Sequence, residues 1–319
     1  MAKNKKNKRF SFSFGKKKTK AQASRRKEAI FLTIKIVLVV VLIGAACAGL
    51  YYLDKNFVKP STGVGSKWVQ INLVDAPKWI SSDLRRAIYT VAGDSDGRFL
   101  LDENTADNVY SKLKNFPWLY NLKVKTDPNS ITVSAEYYKP AMLVESKNRK
   151  VYIASDRPED SEKFKIIVLN YIPLYEVAIP LLKGVDTRYL PEAGFVWQQE
   201  DAEAAVGLVN LFNLMDRNMV ENAKTKRMFF KPLLDEIGVI DVLNFNGRKN
   251  KNESHIIIYA KDETPIHWGA ISGGLEAVPA EKLGKLYQCY KDFGTLQLRS
   301  KGLLQYIDLR IAEKISPIP

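Results

Sequence analysis

Residues Ile36 to Leu53 read IVLVVVLIGAACAGLYYL, eighteen positions without one charged side chain. At about 1.5 Å per residue, and lengthened by the flanking Ala29 to Thr33, such a helix can cross a hydrocarbon layer of about 30 Å. The reading is one membrane span within 29–53. It divides the chain into a tail, 1–28, and a body of 266 residues, 54–319.

Charge gives the orientation. The tail carries twelve basic residues, from Lys3 to Lys27, against a single acid, Glu28, whereas the other flank has only Lys55 and Lys59 beside Asp54. Lys and Arg are retained on the cytoplasmic side, so the tail is expected inside and the body outside. Lys35, one turn into the apolar run, can snorkel back to the inner interface. Tyr51 and Tyr52 stand where an outer aromatic belt belongs.

Two other readings of the stretch fit less well. A cleaved signal peptide has an apolar core of about 7–15 residues and a small-residue cut site, but here the tail is long and the core runs on. Gly44, Ala45, Ala46 and Cys47 resemble a lipoprotein processing site, yet Gly44 stands where a large aliphatic is expected. Small residues also let a partner helix approach closely.

The same division explains the composition. Of the formal net charge of +14, the tail holds +11 and Lys35 one more, which leaves +2 for the rest. A nucleic-acid protein would spread that charge over its folded body; a basic tail beside an anionic leaflet is explained by lipid and topology. Phe10, Phe12 and Phe14 lie among the lysines, in a tail whose polarity reads as disorder. Cys47 lies in the span and Cys289 is alone in the body, so no disulfide is expected within the body. Residues 54–66, with Pro60, Gly63 and Gly65, read as a linker.

The next stretch, 67–139, reads as a β-α-α-β-β module. Trp68 to Leu73 alternates as a strand. Leu84, Ala87, Ile88 and Val91 follow Ser81 and Ser82 at helical spacing and stop at Gly93, and Ala106, Val109, Tyr110 and Leu113 repeat the pattern. Leu122 to Thr126 and Ile131 to Ala135 flank Asp127, Pro128 and Asn129 as a hairpin. Residues 140–311 read as β-rich, with strands at Val151 to Ala154, Lys165 to Leu169, Ile237 to Phe245, Ser254 to Ala260, Ile266 to Trp268 and Leu303 to Ile311. Helices are expected over Asp201 to Arg227 and Pro279 to Phe293, and Asn246-Gly247 opens the loop of a long hairpin. Residues 312–319 form a short tail. The fold class is therefore α+β behind a single membrane helix.

Six motifs in order carry a resemblance. They are Thr90-Val91-Ala92-Gly93 with Phe116-Pro117-Trp118-Leu119 and Lys139-Pro140; Val151 to Asp156; Pro180-Leu181-Leu182-Lys183-Gly184; Ile266-His267-Trp268-Gly269; Glu281-Lys282-Leu283; and Tyr306-Ile307-Asp308-Leu309-Arg310. Together they resemble the FtsQ/DivIB family of bacterial cell-division proteins over roughly residues 30 to 311. The resemblance implies a POTRA domain at 67–139, a β domain at 140–311, and location at the septum in the cytoplasmic (inner) membrane. It implies a scaffold rather than an enzyme, without cofactor or metal. Its partners would be FtsB- and FtsL-like (DivIC-like) single-pass proteins, other divisome members and the membrane. The sequence departs from the family pattern in three places. Glu136, Tyr137 and Tyr138 displace the acidic residue before the proline, the helix at 201–227 is long, and the chain stops eight residues after Ile311, with Pro317 and Pro319 among them.

A thiol transpeptidase would need Cys289, His267 and Arg299 together, but Cys289 falls among the apolar positions of a helix. His255 and His267 with Asp262 and Glu263 lack a third ligand at metal spacing. Gly15 to Thr19 lacks the upstream glycine of a phosphate loop. A POTRA-bearing export component is the rival binding reading, although tandem POTRA units and a barrel are missing.

By the resemblance, a partner adds a strand at the final edge of the β domain, where main-chain hydrogen bonds give affinity. The corresponding residues are Tyr306, Asp308, Arg310, Glu313, Lys314 and Ile315. In the alternative, Tyr306, Asp308 and Arg310 form a solvated face while Ile307, Leu309 and Ile311 fill the core. The charge asymmetry yields the first prediction: Ser61→Cys is labelled by a membrane-impermeant thiol reagent in spheroplasts and Ser11→Cys is not. Labelling of Ser11→Cys alone would reverse the orientation.

Overall fold

The structure is a computed structural model that describes residues 20–53, 68–93, 97–102, 104–127, 129–157, 163–175, 177–225, 231–270, 276–303 and 305–311. The chain forms two compact units, Met1–Gly65 and Ser66–Pro319.

The first unit contains α1, Lys20–Leu53. Within it, Leu32–Tyr51 is long and apolar enough to cross a membrane, and no part of it is buried within the protein. The helix begins earlier than the apolar run. The preceding KAQASRRKEA is rich in Ala, Lys, Arg, Gln and Glu, which favour helix whether or not a membrane surrounds them.

The second unit holds two sheets. The smaller is built from β1 (Trp68–Val74), β2 (Arg98–Leu100), β3 (Leu119–Asp127) and β4 (Ser130–Tyr137) in the order β2-β1-β4-β3, with β1 parallel to β4. Two helices cover one face, α2 (Ser82–Ala92) and α3 (Thr105–Leu113). Ser81 caps α2 by accepting from the Leu84 N–H at 3.2 Å. Leu84, Ile88 and Ala92 then turn inward at successive turns of the helix, against Val69, Ile71, Ile131 and Val133 of the sheet.

The sequence reading of this module omits β2, and the observed order is β-α-β-α-β-β. Three residues give too little alternation to show a period of two. β2 exists because Trp68, Val69 and Gln70 offer it an edge.

The larger sheet has nine strands in the order β13-β12-β11-β10-β8-β5-β6-β7-β9. They are β5 (Pro140–Glu145), β6 (Lys150–Ser155), β7 (Ile166–Asn170), β8 (Leu181–Lys183), β9 (Val196–Trp197), β10 (Ile237–Asp241), β11 (Ile256–Ala260), β12 (Pro265–Gly269) and β13 (Ile307–Asp308). One face packs against α4 (Glu200–Thr225) and α5 (Pro279–Phe293). There Ala205, Val209 and Phe212 of α4 and Leu283, Leu286 and Tyr287 of α5 meet Met142, Ile153, Val168, Ile258 and Ile266. Pro279 opens α5 and Gly294, in the left-handed region, closes it. On the other face Tyr152, Ala154 and Leu169 join the core of the small sheet. There the Trp118 indole donates to Asn170 Oδ1 at 2.8 Å and stands edge-on to Tyr152.

Several strand limits differ from the sequence reading. The strand starting at Ile237 ends at Asp241 rather than Phe245, because Arg248 hydrogen-bonds the carbonyls of Val242 and Leu243 and bends the chain. β11 starts at Ile256 rather than Ser254, whose hydroxyl accepts from Gly269 N. Leu303 to Ile311 shrinks to Ile307–Asp308. The sequence reading also passes over β5, β8 and β9. The long helix ends at Thr225 within the described residues, and residues 226–230 lie outside them.

Buried charge fixes the corners of this unit. Glu236 sits at the start of β10 and accepts from Lys231 at 2.8 Å, Thr295 at 2.6 Å and Gln297 at 2.9 Å. Burial alone would raise its pKa, but these three donors outweigh it and hold the carboxyl at about 2. Since that lies below the ordinary carboxylate value, its stabilisation is present at neutral pH and is lost as pH falls from about 4.5 towards 2. The full chain in detergent should therefore lose melting temperature over that range, and Glu236→Gln should flatten the loss while melting lower at pH 7. An acid limb of unchanged slope would show that Glu236 is not its source.

Candidate partner-binding edge

β13 is an outer strand of the large sheet and pairs in parallel with β12, Ile266 opposite Ile307 and His267 opposite Asp308. Alternation places Ile307 and Leu309 in the main core, both fully buried, and turns Tyr306, Asp308 and Arg310 away from it, partly exposed. Leu309 gives its N–H to the His267 carbonyl at 3.1 Å. The main-chain groups of the alternate residue Asp308 therefore face the outer side of the strand.

Beyond Asp308 this outer side is occupied. The Asp308 carboxylate accepts from Arg310 N at 3.0 Å and from the Arg310 guanidinium at 3.0 and 2.7 Å, while Ala277 N–H donates to the Arg310 carbonyl at 3.1 Å. Burial pushes the Asp308 pKa up, but the Arg310 hydrogen bonds and charge carry it below the usual range. Lys285 of α5 reaches the Ile311 carbonyl. Glu313, Lys314 and Ile315 lie outside the described residues.

His267 flanks the edge and meets the Tyr306 ring edge-on at 5.4 Å. Burial lowers its pKa, Asp308 raises it and Arg310 lowers it, so the net shift favours the neutral imidazole. Behind β12 stands Lys282, the central residue of the Glu281-Lys282-Leu283 motif, and it is buried. Lys282 donates to Glu276 at 2.7 Å and to the Ala270 carbonyl at 2.9 Å, with its ammonium 5.6 Å from the Trp268 ring. Gly269 has φ +81, and a β-carbon there would strike the Glu276 carboxylate. The motifs around Trp268-Gly269 and Lys282 thus form one clasp that positions β12, and through it β13. Neither motif signals this in sequence, because the linking Glu276 lies between them in chain order.

The transpeptidase residues are not brought together. Cys289 is fully buried in the main core, where Ile266 and Trp268 also point, and His267 turns to the opposite face of the sheet. Arg299 is engaged with the carbonyls of Glu263 and Gln305. Burial, with a smaller contribution from Asp292, pushes the Cys289 thiol up to about 11, far from the range of a reactive thiolate. Among the described residues no group of three His, Cys, Asp or Glu side chains is placed to hold a metal ion.

Comparison with family models and with curated proteins gives no match to this chain.

In a Cys47→Ala background, the folded full chain should resist thiol labelling at neutral pH and react only after denaturation. Cys289→Ser should cost about 1–3 kcal/mol, since it buries a hydroxyl in place of a weakly polar thiol. Rapid labelling of the folded chain would contradict this assignment.

Proposed function

We propose that the chain is a non-enzymatic membrane scaffold of the FtsQ/DivIB type, anchored by α1 with its N-terminus in the cytoplasm. On this reading, residues 67–139 are a POTRA-type module, 140–311 the β domain, and the body gathers FtsB- and FtsL-like (DivIC-like) proteins at the division septum. Three features support it. One helix can span a membrane, with the basic tail on one side of it. A four-stranded sheet with two covering helices follows. The quoted motifs also fall at constrained points, as at Gly184, where φ is +85 and a β-carbon would collide with the Leu243 backbone.

The observation that carries the partner assignment is β13. Among the described residues it has a strand neighbour on one side only, and Asp308 turns main-chain groups to the other. A partner strand would extend the sheet there, bonded by its backbone and selected by alternate side chains. Glu313, Lys314 and Ile315 would prolong the same edge.

Two measurements test the proposal. A fluorescent fusion should concentrate at the division site of growing cells, and uniform membrane fluorescence would argue against the division role. Ile315→Pro should weaken capture of an FtsB-like partner by the detergent-solubilised chain while its melting temperature stays almost unchanged, because proline removes one edge donor. Undiminished capture would exclude Ile315 from the edge.

A further inference from the structure

α2 and α3 cover the face of the small sheet that carries Val69, Ile71, Ile131 and Val133. The residues between them in sequence point to the other face. Antiparallel pairing sets Trp68 against Leu100 there and Gln70 against Arg98 on the next rung, since directly opposed residues point the same way. Gln70 and Arg98 are exposed, and so are Trp68 at 65% and Leu100 at 44%. A single exposed apolar residue is ordinary on a surface, but an indole set opposite a leucine is a patch.

Two observations choose what covers it. The first is the place of Trp68 in the chain. It is the first described residue after α1, and residues 54–67, which separate it from Leu53, number fourteen. Fully extended, a segment of that length spans no more than about 50 Å, so with α1 across a bilayer the start of β1 is leashed to the headgroup layer. The second is chemistry. Tryptophan is favoured at the boundary of hydrocarbon and water, where its ring is sheltered and its N–H stays hydrogen-bonded. Arg98 stands on the adjoining rung, and Lys125 and Lys123 follow on β3, opposite Thr132 and Ser134 of the same face. β1 and β2 contain no acid. The acids of this face lie on β3 and β4, where Asp127 accepts from the Thr132 hydroxyl at 2.9 Å and Glu136 accepts from Asn121 at 2.8 Å.

We propose that the Trp68–Leu100 face docks on the headgroup layer of an anionic phospholipid bilayer, with Trp68 and Leu100 entering the interface and Arg98 meeting lipid phosphates. The proposal rests on α1 spanning that bilayer, and on neither the division role nor the β13 edge.

The test uses the full chain in nanodiscs of phosphatidylcholine with about one third phosphatidylglycerol. In a Cys47→Ala background, one introduced cysteine at a time carries a fluorophore. At Leu42→Cys, within α1, a lipid spin-labelled deep in its acyl chain should quench the fluorescence, which reports the span. At Gln70→Cys a lipid spin-labelled at the headgroup should quench it, and at Tyr110→Cys, on the exposed side of α3, it should not. Trp68→Gln should remove the Gln70 signal, and high salt should weaken it. Arg98→Glu should lower the ratio of docked to undocked chain about tenfold, as expected for reversing one charge beside an anionic surface. Quenching at Leu42 with none at Gln70, equal quenching at Gln70 and Tyr110, or a Gln70 signal that survives Trp68→Gln would overturn the docking and leave the span standing. Absence of quenching at Leu42 would overturn the span, and the docking with it.

Discussion

The burial of β6 and β7 on both faces is the constraint on which the rest of the second unit depends. Val151, Ile153, Ile166 and Val168 point into the core beneath α4 and α5, while Tyr152, Ala154 and Leu169 point into the core of the small sheet. A strand covered on one side alternates apolar with polar, and one covered on both sides reads as continuous apolar sequence. Val151-Tyr152-Ile153-Ala154 is such a run. Its two sets of side chains serve different cores, so the two sequence modules pack within one compact unit. Trp118 makes this join specific: its ring fills apolar space beside Tyr152, and its N–H must find Asn170 because a buried indole donor is costly to leave unbonded.

Around that join, buried ionisable groups hold segments that hydrophobic packing alone would leave free to slide. Asp216 in α4 accepts from Tyr287 of α5 at 2.5 Å and from the N–H groups of Leu233 and Leu234 at 2.9 and 3.1 Å. Burial drives its pKa upward against those donors. Asp201 takes a guanidinium bond from Arg248, whose other bonds reach the carbonyls of Val242, Leu243 and Gly184. Each such group carries a desolvation cost that only its full set of partners offsets. Loss of one partner would therefore disturb a corner of the fold more than loss of a methyl group from the wide sheet core.

The legible parts of this fold were those whose signal is local. α2 and α5 carry their own stops and starts in Ser81, Gly93, Pro279 and Gly294, and the β3–β4 hairpin carries its turn in Asp127 to Asn129. That α1 is long and apolar enough to span a membrane is legible from composition alone. β5 escaped because Pro140 opens it and PAMLVE does not alternate, being covered on both faces. β2, β8 and β9 have three, three and two residues, and exist only because a longer neighbour presents an edge. The resemblance names Tyr306, Asp308 and Arg310 as part of a candidate edge, but nothing in the sequence signals the restraint on them. Ala277 and Lys285, which reach Arg310 and Ile311, come from a loop and from a helix face with no motif of their own.

That restraint bears on how strand addition could work here. Open edges invite unwanted pairing, and proteins guard them with charge and with short strands. β13 has both devices: only two residues in strand geometry, and an Asp308–Arg310 pair that occupies the N–H of Arg310. A partner that paired along the whole of Tyr306 to Ile311 would have to displace Ala277 from the Arg310 carbonyl and Asp308 from the Arg310 N–H, exchanging existing hydrogen bonds for new ones. The net gain of such an exchange is small, since a hydrogen bond broken offsets one formed. On the proposed reading, affinity would come from groups that give up only water on pairing, the outward N–H and C=O of Asp308, and from side chains laid against Tyr306 and His267. If a partner strand adds here, an edge guarded in this way would discriminate by side chain, because backbone pairing alone would supply too little to hold a stranger.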